Sequence, residues 1–239
     1  MSGKNKIKGI FITGTDTAAG KTVVTGLLAR YLLGSGFNVI TQKWIQTGCR
    51  GFSDSDLATH IRLMGSKANV LKRYQKHTLS CSFRFPASPH LSAQLENRKS
   101  TPCKIKKDFR FLCRKFDLVL VEGVGGALVP YDKKNLVIDI AKELDLPVLL
   151  VAQNKLGSIN HTLLTIEALK KRKIKILGIV FNSIKREDRR ILQDNPRIIK
   201  EISKEKVLGI LPWNRNFGQL FKKFIPIGEK IEKELIYSK

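Results

Sequence analysis

Short apolar runs alternate with segments of helical periodicity along most of this chain of 239 residues. Apolar runs of about four to eight residues are typical of buried strands, whereas apolar residues that recur every three or four positions indicate helices. The alternation predicts an α/β fold, a doubly wound and mostly parallel sheet with helices on both faces. The predicted strands cover residues 7–13, 37–41, 117–121, 147–152, 175–181 and 207–211, and the predicted helices cover 22–33, 54–63, 135–144, 158–171, 188–203 and the C-terminal tail.

The composition is that of an ordinary globular protein, with 42% hydrophobic and 27% charged residues. We find no internal repeat and no linker, so we expect a single domain over residues 1–239. The longest apolar run, 146–152, is far shorter than the roughly 20 residues that cross a bilayer, and the N-terminus lacks the core of a signal peptide. We therefore expect a cytoplasmic protein that does not enter a membrane, with its four cysteines as free thiols.

The chain is strongly basic, with 44 Lys and Arg against 20 Asp and Glu and a net charge of +24. Such a surface attracts polyanions, so a nucleic-acid partner has to be considered. The positive charge is spread along the chain, however, and its densest stretches, 99–115 and 170–175, are interpreted as solvated helix faces and linkers. No zinc finger, basic zipper or aromatic RNA-binding motif accompanies them, so we expect no nucleic-acid partner.

The most specific chemical signal is the sequence TGTDTAAGKT at residues 13–22. It lies between a predicted strand and a predicted helix, which is the context of a phosphate-binding loop. In such a loop backbone N–H groups and the helix N-terminus bind phosphate oxygens, and Gly20 lets the backbone approach closely. Lys21 is placed to contact the β and γ phosphates, and Thr22 to ligate Mg²⁺. The loop is one residue longer than the common motif, yet its context predicts ATP or GTP binding.

Charged residues follow two of the predicted strands and open one predicted helix. The third strand places Glu122 at the carboxyl edge of the sheet, where ligands of open α/β folds bind. Asp54 is interpreted as a helix N-cap, which leaves Asp56 as a second candidate Mg²⁺ ligand. Lys43, just beyond the second strand, is placed to stabilise charge on a transferring phosphoryl group. The four histidines are scattered along the chain, and none is assigned a catalytic role.

Seven segments carry recognisable motifs in a fixed order: 13–22, 43–48, 88–90, 122–130, 155–161, 178–182 and 211–213. Together they resemble the dethiobiotin synthetase family, and the resemblance runs from residue 8 to about residue 214. The long phosphate loop and the LGSINH sequence at 156–161 are its most specific parts.

This resemblance implies an ATP- and Mg²⁺-dependent carboligase that acts on 7,8-diaminopelargonic acid and CO₂. An amine of the substrate takes up CO₂ as a carbamate, a carbamate oxygen attacks the γ phosphate of ATP, and the second amine closes the ureido ring with loss of phosphate. A homodimer is also implied, in which 158–160 bind the substrate carboxylate across the interface. The predicted helix start near 158 suits that role, because helix N-termini attract carboxylates.

The resemblance also assigns roles to individual residues. Lys21 and Lys43 are the implied catalytic residues, and Thr22, Asp56 and Glu122 are the implied Mg²⁺ ligands. The implied ATP contacts are Ala18, Ala19, Gly20, Lys21, Thr22, Val23, Asp56, Glu122, Gly123, Val124, Gly125, Asn182, Ser183, Pro212, Trp213 and Asn214, with Asn182 reading the adenine. The implied substrate contacts are Thr17, Thr47, Ser88, Ser158, Ile159 and Asn160.

The sequence departs from the family pattern at two positions. Trp44 stands where the family commonly has proline after the active lysine, and we expect its side chain to pack instead. Ala18 stands where family loops often carry an acid, so any contact of that acid with the substrate amines is missing. Two other hypotheses stay open: a partitioning-type ATPase that binds DNA through its basic surface, and a related amidoligase or acyl-transfer enzyme with another small substrate.

Overall fold

The computed structural model describes residues 7–65 and 73–237. Its strands are β1 (Gly9–Gly14), β2 (Val39–Gln46), β3 (Leu79–Ser82), β4 (Leu118–Gly126), β5 (Val148–Gln153), β6 (Ile176–Asn182) and β7 (Val207–Leu211). Its helices are α1 (Lys21–Gly34), α2 (Asp56–Met64), α3 (Gln75–Thr78), α4 (Pro89–Leu95), α5 (Pro102–Cys113), α6 (Val137–Glu143), α7 (Ser158–Lys171), α8 (Arg189–Ser203) and α9 (Phe217–Tyr237), and single 3₁₀ turns lie at Thr17–Ala19 and Phe52–Asp54.

The strands form one sheet in the order β3-β2-β4-β1-β5-β6-β7. Every neighbouring pair is parallel, so the carboxyl ends of all seven strands lie at the same edge. The predicted α/β class is confirmed, and the sheet is wholly parallel rather than mostly so. Ligands of such sheets bind at the carboxyl edge, which is where the candidate residues of the sequence converge.

Alternation along β5 shows that both faces of the sheet are covered. Leu149 and Val151 belong to the larger hydrophobic core, which includes residues of α1, α5, α6 and α9. Leu150 and Ala152 point the other way and pack in a second cluster with Ile166 of α7 and with residues of β6 and α8. Because successive strand residues face opposite sides, a strand buried throughout must lie between two helical layers.

Strand β2 is longer than the sequence predicts. The apolar run ends at Thr41, but the strand continues to Gln46, because β3 and β4 flank it on both sides and pair with its polar half. The expectation that Lys43 lies beyond the strand is therefore wrong: Lys43 is inside β2 and buried. Strand β4 likewise continues through Glu122 to Gly126.

Between β2 and β4, helix α2 is predicted from the sequence, but β3 and α4 are missed. Strand β3 has four residues at the edge of the sheet, too few to show a pattern, and it is followed by α4. The sequence of the stretch 99–115 is interpreted as solvated helix face and linker. Pro102–Cys113 within it do form a helix, α5, but one face of that helix is buried through Ile105, Phe109 and Leu112 rather than solvated. Asp54 is not the cap of α2, since it lies in the preceding 3₁₀ turn and Ser55 occupies the N-cap position.

Trp44 packs as expected. Its side chain is fully buried in β2 and stacks on Phe11 of β1, with the ring centroids 5.0 Å apart. The indole Nε1 donates a hydrogen bond to Gln42 Oε1 at 3.0 Å, so its polar group is satisfied inside the core. Strand pairing and this packing thus fix the backbone around Lys43 without a proline.

All four cysteines lie within the described residues and are free thiols, as expected. Among residues 7–65 and 73–237, no helix has the length and apolar character needed to span a bilayer.

Candidate functional site

The phosphate-binding loop connects β1 to α1 and depends on a left-handed glycine. Gly20 has φ of +90° and lies directly against Asn182, whose Nδ2 donates to the carbonyl of Ala19 at 3.0 Å. A Cβ at Gly20 would collide with that amide nitrogen. Only glycine therefore fits here, and the structure adds the left-handed backbone to the close approach that the sequence motif predicts.

Lys21 begins α1 and points back over the loop. Its side chain is almost fully buried, and Nζ donates to the carbonyls of Asp16 at 2.9 Å and Thr17 at 3.2 Å. Burial, followed by repulsion from the Lys43 ammonium, lowers the pKa of Lys21 to about 8. An ammonium held against loop carbonyls is ready to bind a phosphate in the same loop.

Strand register brings Lys43 and Glu122 together. The two residues are paired across β2 and β4, so their side chains leave the sheet on the same face. Lys43 Nζ donates to Glu122 Oε1 and to the carbonyl of Gly123, both at 2.8 Å. The same nitrogen lies 2.6 Å from Oδ2 of Asp56, at the start of α2. One ammonium thus links β2, β4 and the first turn of α2.

Glu122 connects this ion pair to the phosphate loop. Its carboxylate is 1% exposed, and Oε1 also accepts a hydrogen bond from the Thr22 hydroxyl at 2.9 Å. The other oxygen, Oε2, lies 2.8 Å from Nε2 of His60. We name Thr22, Lys43, Asp56, His60 and Glu122 the carboxylate cluster.

Opposite charges decide the ionisation of the carboxylate cluster. Burial alone would raise the pKa of Glu122, but Lys43 and the hydrogen bond from His60 outweigh it and lower that pKa strongly. Burial alone would lower the pKa of Lys43, but the carboxylates of Glu122 and Asp56 raise it. The negative charge of Glu122 and the positive charge of Lys43 stabilise each other, so both residues are charged at neutral pH.

The oxygen atoms of this cluster fit Mg²⁺ bound together with a nucleotide. A threonine hydroxyl and two carboxylates are ligands that Mg²⁺ prefers, and an ammonium already lies between the two carboxylates. In the described part of the chain, no group of three or more His, Cys, Asp and Glu side chains is arranged for a metal. A site that binds Mg²⁺ together with a nucleotide does not need three such side chains, since phosphates and water supply the remaining Mg²⁺ ligands.

Direct contacts join only some of the residues that the sequence selects. The phosphate loop, Thr22, Lys43, Asp56, Glu122 and Asn182 are linked by the hydrogen bonds described above. Gly123, Val124 and Gly125 extend β4 beside the loop, with Gly125 near Thr17. Exposed Ala18 and half-buried Val23 flank the loop and the first turn of α1.

The remaining selected residues lie near the carboxyl edge of the sheet without a direct contact to the cluster. Thr47 follows β2. Ser88 occupies the N-cap position of α4 without a side-chain capping hydrogen bond, and its hydroxyl lies 3.0 Å from His90 Nδ1. Ser183 follows β6, and its buried hydroxyl has no hydrogen-bond partner among the described residues. Pro212, Trp213 and Asn214 follow β7, and Trp213 is partly exposed between the guanidinium groups of Arg186 and Arg215.

Helix α7 begins at Ser158, as the periodicity predicts, but the Ser158 side chain points into the protein. It is 1% exposed, and its hydroxyl oxygen accepts from Asn195 Nδ2 of α8 at 3.1 Å. Ile159 is half-buried and Asn160 is exposed. A cavity of about 400 Å³ connects this helix to the phosphate loop and is lined by Thr15, Asp16, Gly126, Ala127, Leu128, Val129, His161, Leu164 and Thr165.

The residue of the cluster that sequence reasoning missed is His60. Its position four residues after Asp56, on the predicted helix 54–63, is the signal that could have found it, because residues i and i+4 share a helix face. Without the tertiary contact to Glu122, however, a buried histidine on an amphipathic helix is indistinguishable from a packing residue.

Fold and phosphate loop together define a P-loop nucleotide-binding protein. The plasmid partition protein of Borrelia burgdorferi bound to AMPPNP has a similar fold, with a TM-score of 0.62, 13% identity, and coverage of 98% of this chain and 100% of that one. The cell division protein MinD of Aquifex aeolicus gives a TM-score of 0.54 at 18% identity, covering 96% of this chain and 95% of that one. At these identities the likeness concerns the fold alone.

Sequence relatives identify the family within this class. An AAA domain family model matches residues 8–219. The ATP-dependent dethiobiotin synthetase BioD 2 of Pasteurella multocida is 41% identical over 195 residues, 81% of this chain and 90% of that protein. The ATP-dependent dethiobiotin synthetase BioD of Chlorobaculum tepidum is 43% identical over 203 residues, 84% and 83% of the two chains. The chain belongs to the ATP-dependent dethiobiotin synthetase family of enzymes.

Proposed function

We propose that this chain forms dethiobiotin from 7,8-diaminopelargonic acid, CO₂ and ATP, with Mg²⁺ as the metal. Family membership supports the overall reaction. The observation that carries the assignment of residues is the contact chain from Thr22 through Glu122 and Lys43 to Asp56, which joins the phosphate loop to two carboxylates and a second lysine. These are the groups that phosphoryl transfer to a small acceptor requires.

The proposed reaction forms one bond at each step. A substrate amine adds to CO₂ and loses a proton, which gives a carbamate. A carbamate oxygen then attacks the γ phosphorus of ATP, and the bond from that phosphorus to the oxygen bridging the β phosphate breaks, releasing ADP. The second amine attacks the carbamoyl carbon, and phosphate and a proton leave as the ureido ring closes.

Lys21 and Lys43 stabilise the negative charge in this scheme. Lys21 lies in the phosphate loop, and Lys43 extends from β2 to Glu122, which also accepts a hydrogen bond from Thr22 of that loop. A fixed ammonium in a site closed to water stabilises developing charge far more than one in bulk solvent. Thr22, Asp56 and Glu122 would hold Mg²⁺, which offsets the charge of the phosphate oxygens when it is bound with ATP.

The cavity between the phosphate loop and α7 is the proposed substrate site. Its lining combines the apolar Leu128, Val129 and Leu164 with polar groups near the loop, which suits an alkyl chain with polar ends. We also propose that a second copy of the chain covers this region. The support is the resemblance together with apolar exposure beside the cavity, since Leu128, Leu156 and Leu164 are 52%, 74% and 55% exposed.

The dimer is tested by light scattering of the purified protein. We expect twice the mass of one chain, and Leu164→Glu should shift the population toward monomer. The matched control is Leu95→Glu, which changes an equally exposed leucine on α4 (54%) and should leave the mass unchanged. A monomeric wild-type chain at micromolar concentration would refute the second copy.

The reaction is tested with the purified chain, 7,8-diaminopelargonic acid, bicarbonate, ATP and Mg²⁺. We expect ADP release that depends on the diamine, and dethiobiotin in equal amount. Lys43→Ala should keep ATP binding but lose most turnover, because its ammonium acts on the transferred group. The control is Lys175→Ala at the exposed opposite edge of the sheet, which should keep wild-type turnover. ADP release without dethiobiotin, or none at all, would disprove the proposed reaction.

A further inference from the structure

His60 makes a contact that the proposed reaction does not use. Its imidazole is fully buried, and Nε2 lies 2.8 Å from Oε2 of Glu122. An ionised carboxylate only accepts hydrogen bonds, so Nε2 donates. The other ring nitrogen, Nδ1, has no hydrogen-bond partner among the described residues. The polar interaction of this side chain is therefore directed entirely at Glu122.

The two oxygens of Glu122 are thereby given different partners. Oε1 accepts from the Thr22 hydroxyl and the Lys43 ammonium, whereas Oε2 accepts from His60 alone among the hydrogen bonds found in residues 7–65 and 73–237. A carboxylate held at only one oxygen could turn about its last torsion angle, which has a broad preference. The imidazole blocks that rotation and keeps Oε1 facing the phosphate loop.

Helix α2 delivers both of its polar contributions from one face. Asp56 and His60 are four residues apart, so they project side by side, Asp56 toward Lys43 and His60 toward Glu122. Leu63, on the same helix, packs against Gly26 of α1, where an added Cβ would lie 2.6 Å from Leu63 Cδ1. Helix α2 is therefore packed against α1, the helix that carries Thr22.

We propose that His60 is a positioning residue, which orients the Glu122 carboxylate so that Oε1 is presented to the divalent cation bound with ATP. The inference deepens the proposed function and depends on its assignment of Glu122 as an Mg²⁺ ligand. Removing the imidazole leaves Oε2 as a buried acceptor with no donor. The carboxylate is then free to rotate, and Lys43 can take both oxygens, which withdraws the ligand from the metal.

The test measures metal binding rather than turnover. Wild type, His60→Leu and His60→Gln are each mixed with the non-hydrolysable ATP analogue AMPPNP, and Mn²⁺ is titrated while free Mn²⁺ is followed by electron paramagnetic resonance. His60→Leu should weaken Mn²⁺ binding about 10- to 100-fold, the usual effect of losing a hydrogen bond to a metal ligand. His60→Gln keeps an N–H donor, so we expect its Mn²⁺ affinity within about fivefold of wild type.

Two measurements separate positioning from packing. AMPPNP binding without metal should change less than about twofold in His60→Leu, because the hydrogen bond that His60 makes among the described residues is to Glu122 and not to the phosphate loop. Leu63→Ala is the matched control: it leaves a cavity on the same helix and lowers thermal stability, yet should keep the wild-type Mn²⁺ affinity. If His60→Leu does not fold, His60→Phe, which retains a ring but no donor, replaces it in the comparison.

Each outcome decides between the two proposals. Equal Mn²⁺ affinity in wild type and His60→Leu, or an equal loss in Leu63→Ala, overturns the role of His60 even if the wild type makes dethiobiotin. Conversely, a wild type that makes no dethiobiotin but shows the expected Mn²⁺ contrast refutes the proposed reaction and leaves the positioning role in place. If His60→Leu and His60→Gln both lose Mn²⁺ affinity, the imidazole ring rather than its N–H donor supports metal binding, and the hydrogen-bond argument is wrong.

Discussion

Raising the pH from 7 to 9 should weaken ATP binding about tenfold through the titration of Lys21. In the free chain, burial and the nearby Lys43 lower the pKa of Lys21 from its usual 10.5 to about 8. Phosphate oxygens next to the ammonium favour its charged form, so ATP binding should return that pKa to the usual range. ATP binding must then be accompanied by proton uptake wherever the free lysine is neutral.

The magnitude follows from the charged fraction of Lys21. With a pKa of about 8, the free chain has about 90% of this lysine charged at pH 7 and about 10% at pH 9. The apparent Kd for ATP should therefore rise about tenfold, or about 1.4 kcal/mol, with about 0.9 proton taken up per ATP at pH 9. The free energy of unfolding changes in the opposite direction to ATP binding. The unfolded chain keeps the proton on Lys21 to higher pH than the folded chain, so the folded state gains stability from this residue as the pH rises from about 8 to 10.5.

Isothermal titration calorimetry of ATP without Mg²⁺ measures the apparent Kd at pH 7, 8 and 9. Repeating it in two buffers of different ionisation enthalpy gives the number of protons taken up. The terminal phosphate of ATP stays ionised over this range, since phosphate esters titrate near pH 6. Lys43, whose pKa is raised, stays charged and adds no titration. Lys21→Arg is the control, because its guanidinium is always charged and any binding it retains should be nearly independent of pH. An ATP affinity that changes less than twofold, with no proton uptake, would show that Lys21 is charged in the free chain.

Three substitutions test other parts of the site and its support. Lys43→Met should lower the free energy of unfolding by about 3–5 kcal/mol, because it leaves a buried carboxylate without its cation, and Mg²⁺ should recover part of this loss in a thermal melt. Gly20→Ala should weaken ATP binding at least about tenfold and cost about 1–2 kcal/mol of stability, since the left-handed backbone disfavours alanine and its Cβ would collide with Asn182. Trp44→Ala should cost about 3–5 kcal/mol in urea denaturation, because the indole is fully buried against Phe11.

Matched variants define what would contradict these expectations. Lys106→Met removes a partly exposed ion pair with Glu143 and should cost under about 1 kcal/mol. An equally small loss of stability in Lys43→Met would mean that the buried ion pairs of Lys43 stabilise the fold no more than an ion pair at the surface. Gly34→Ala has open space for its Cβ, so equal ATP affinity in the two glycine variants would refute the steric argument. For Trp44, phenylalanine should recover part of the stability, and no recovery would argue against ring packing.

The accuracy of sequence-based prediction varied with the length and patterning of the elements. The central strands and the long helices α1 and α7 were predicted, because a strand buried on both faces is continuously apolar and a long helix repeats its pattern several times. Strand β3 was missed, since four residues at a sheet edge carry no pattern. The polar end of β2 was also missed, because Gln42 and Lys43 are buried by partners rather than by their own hydrophobicity.

The residues 13–22 determined the phosphate loop by themselves, because its requirements are local: a strand, a glycine with positive φ and a helix that starts at Lys21. The carboxylate cluster could be decided only in three dimensions. Lys43 and Glu122 are 79 residues apart and meet because the sheet places β2 beside β4, and His60 reaches the same carboxylate only because α2 packs against α1. Pairing between distant strands depends on the burial of the whole sheet, so no short stretch of sequence contains it.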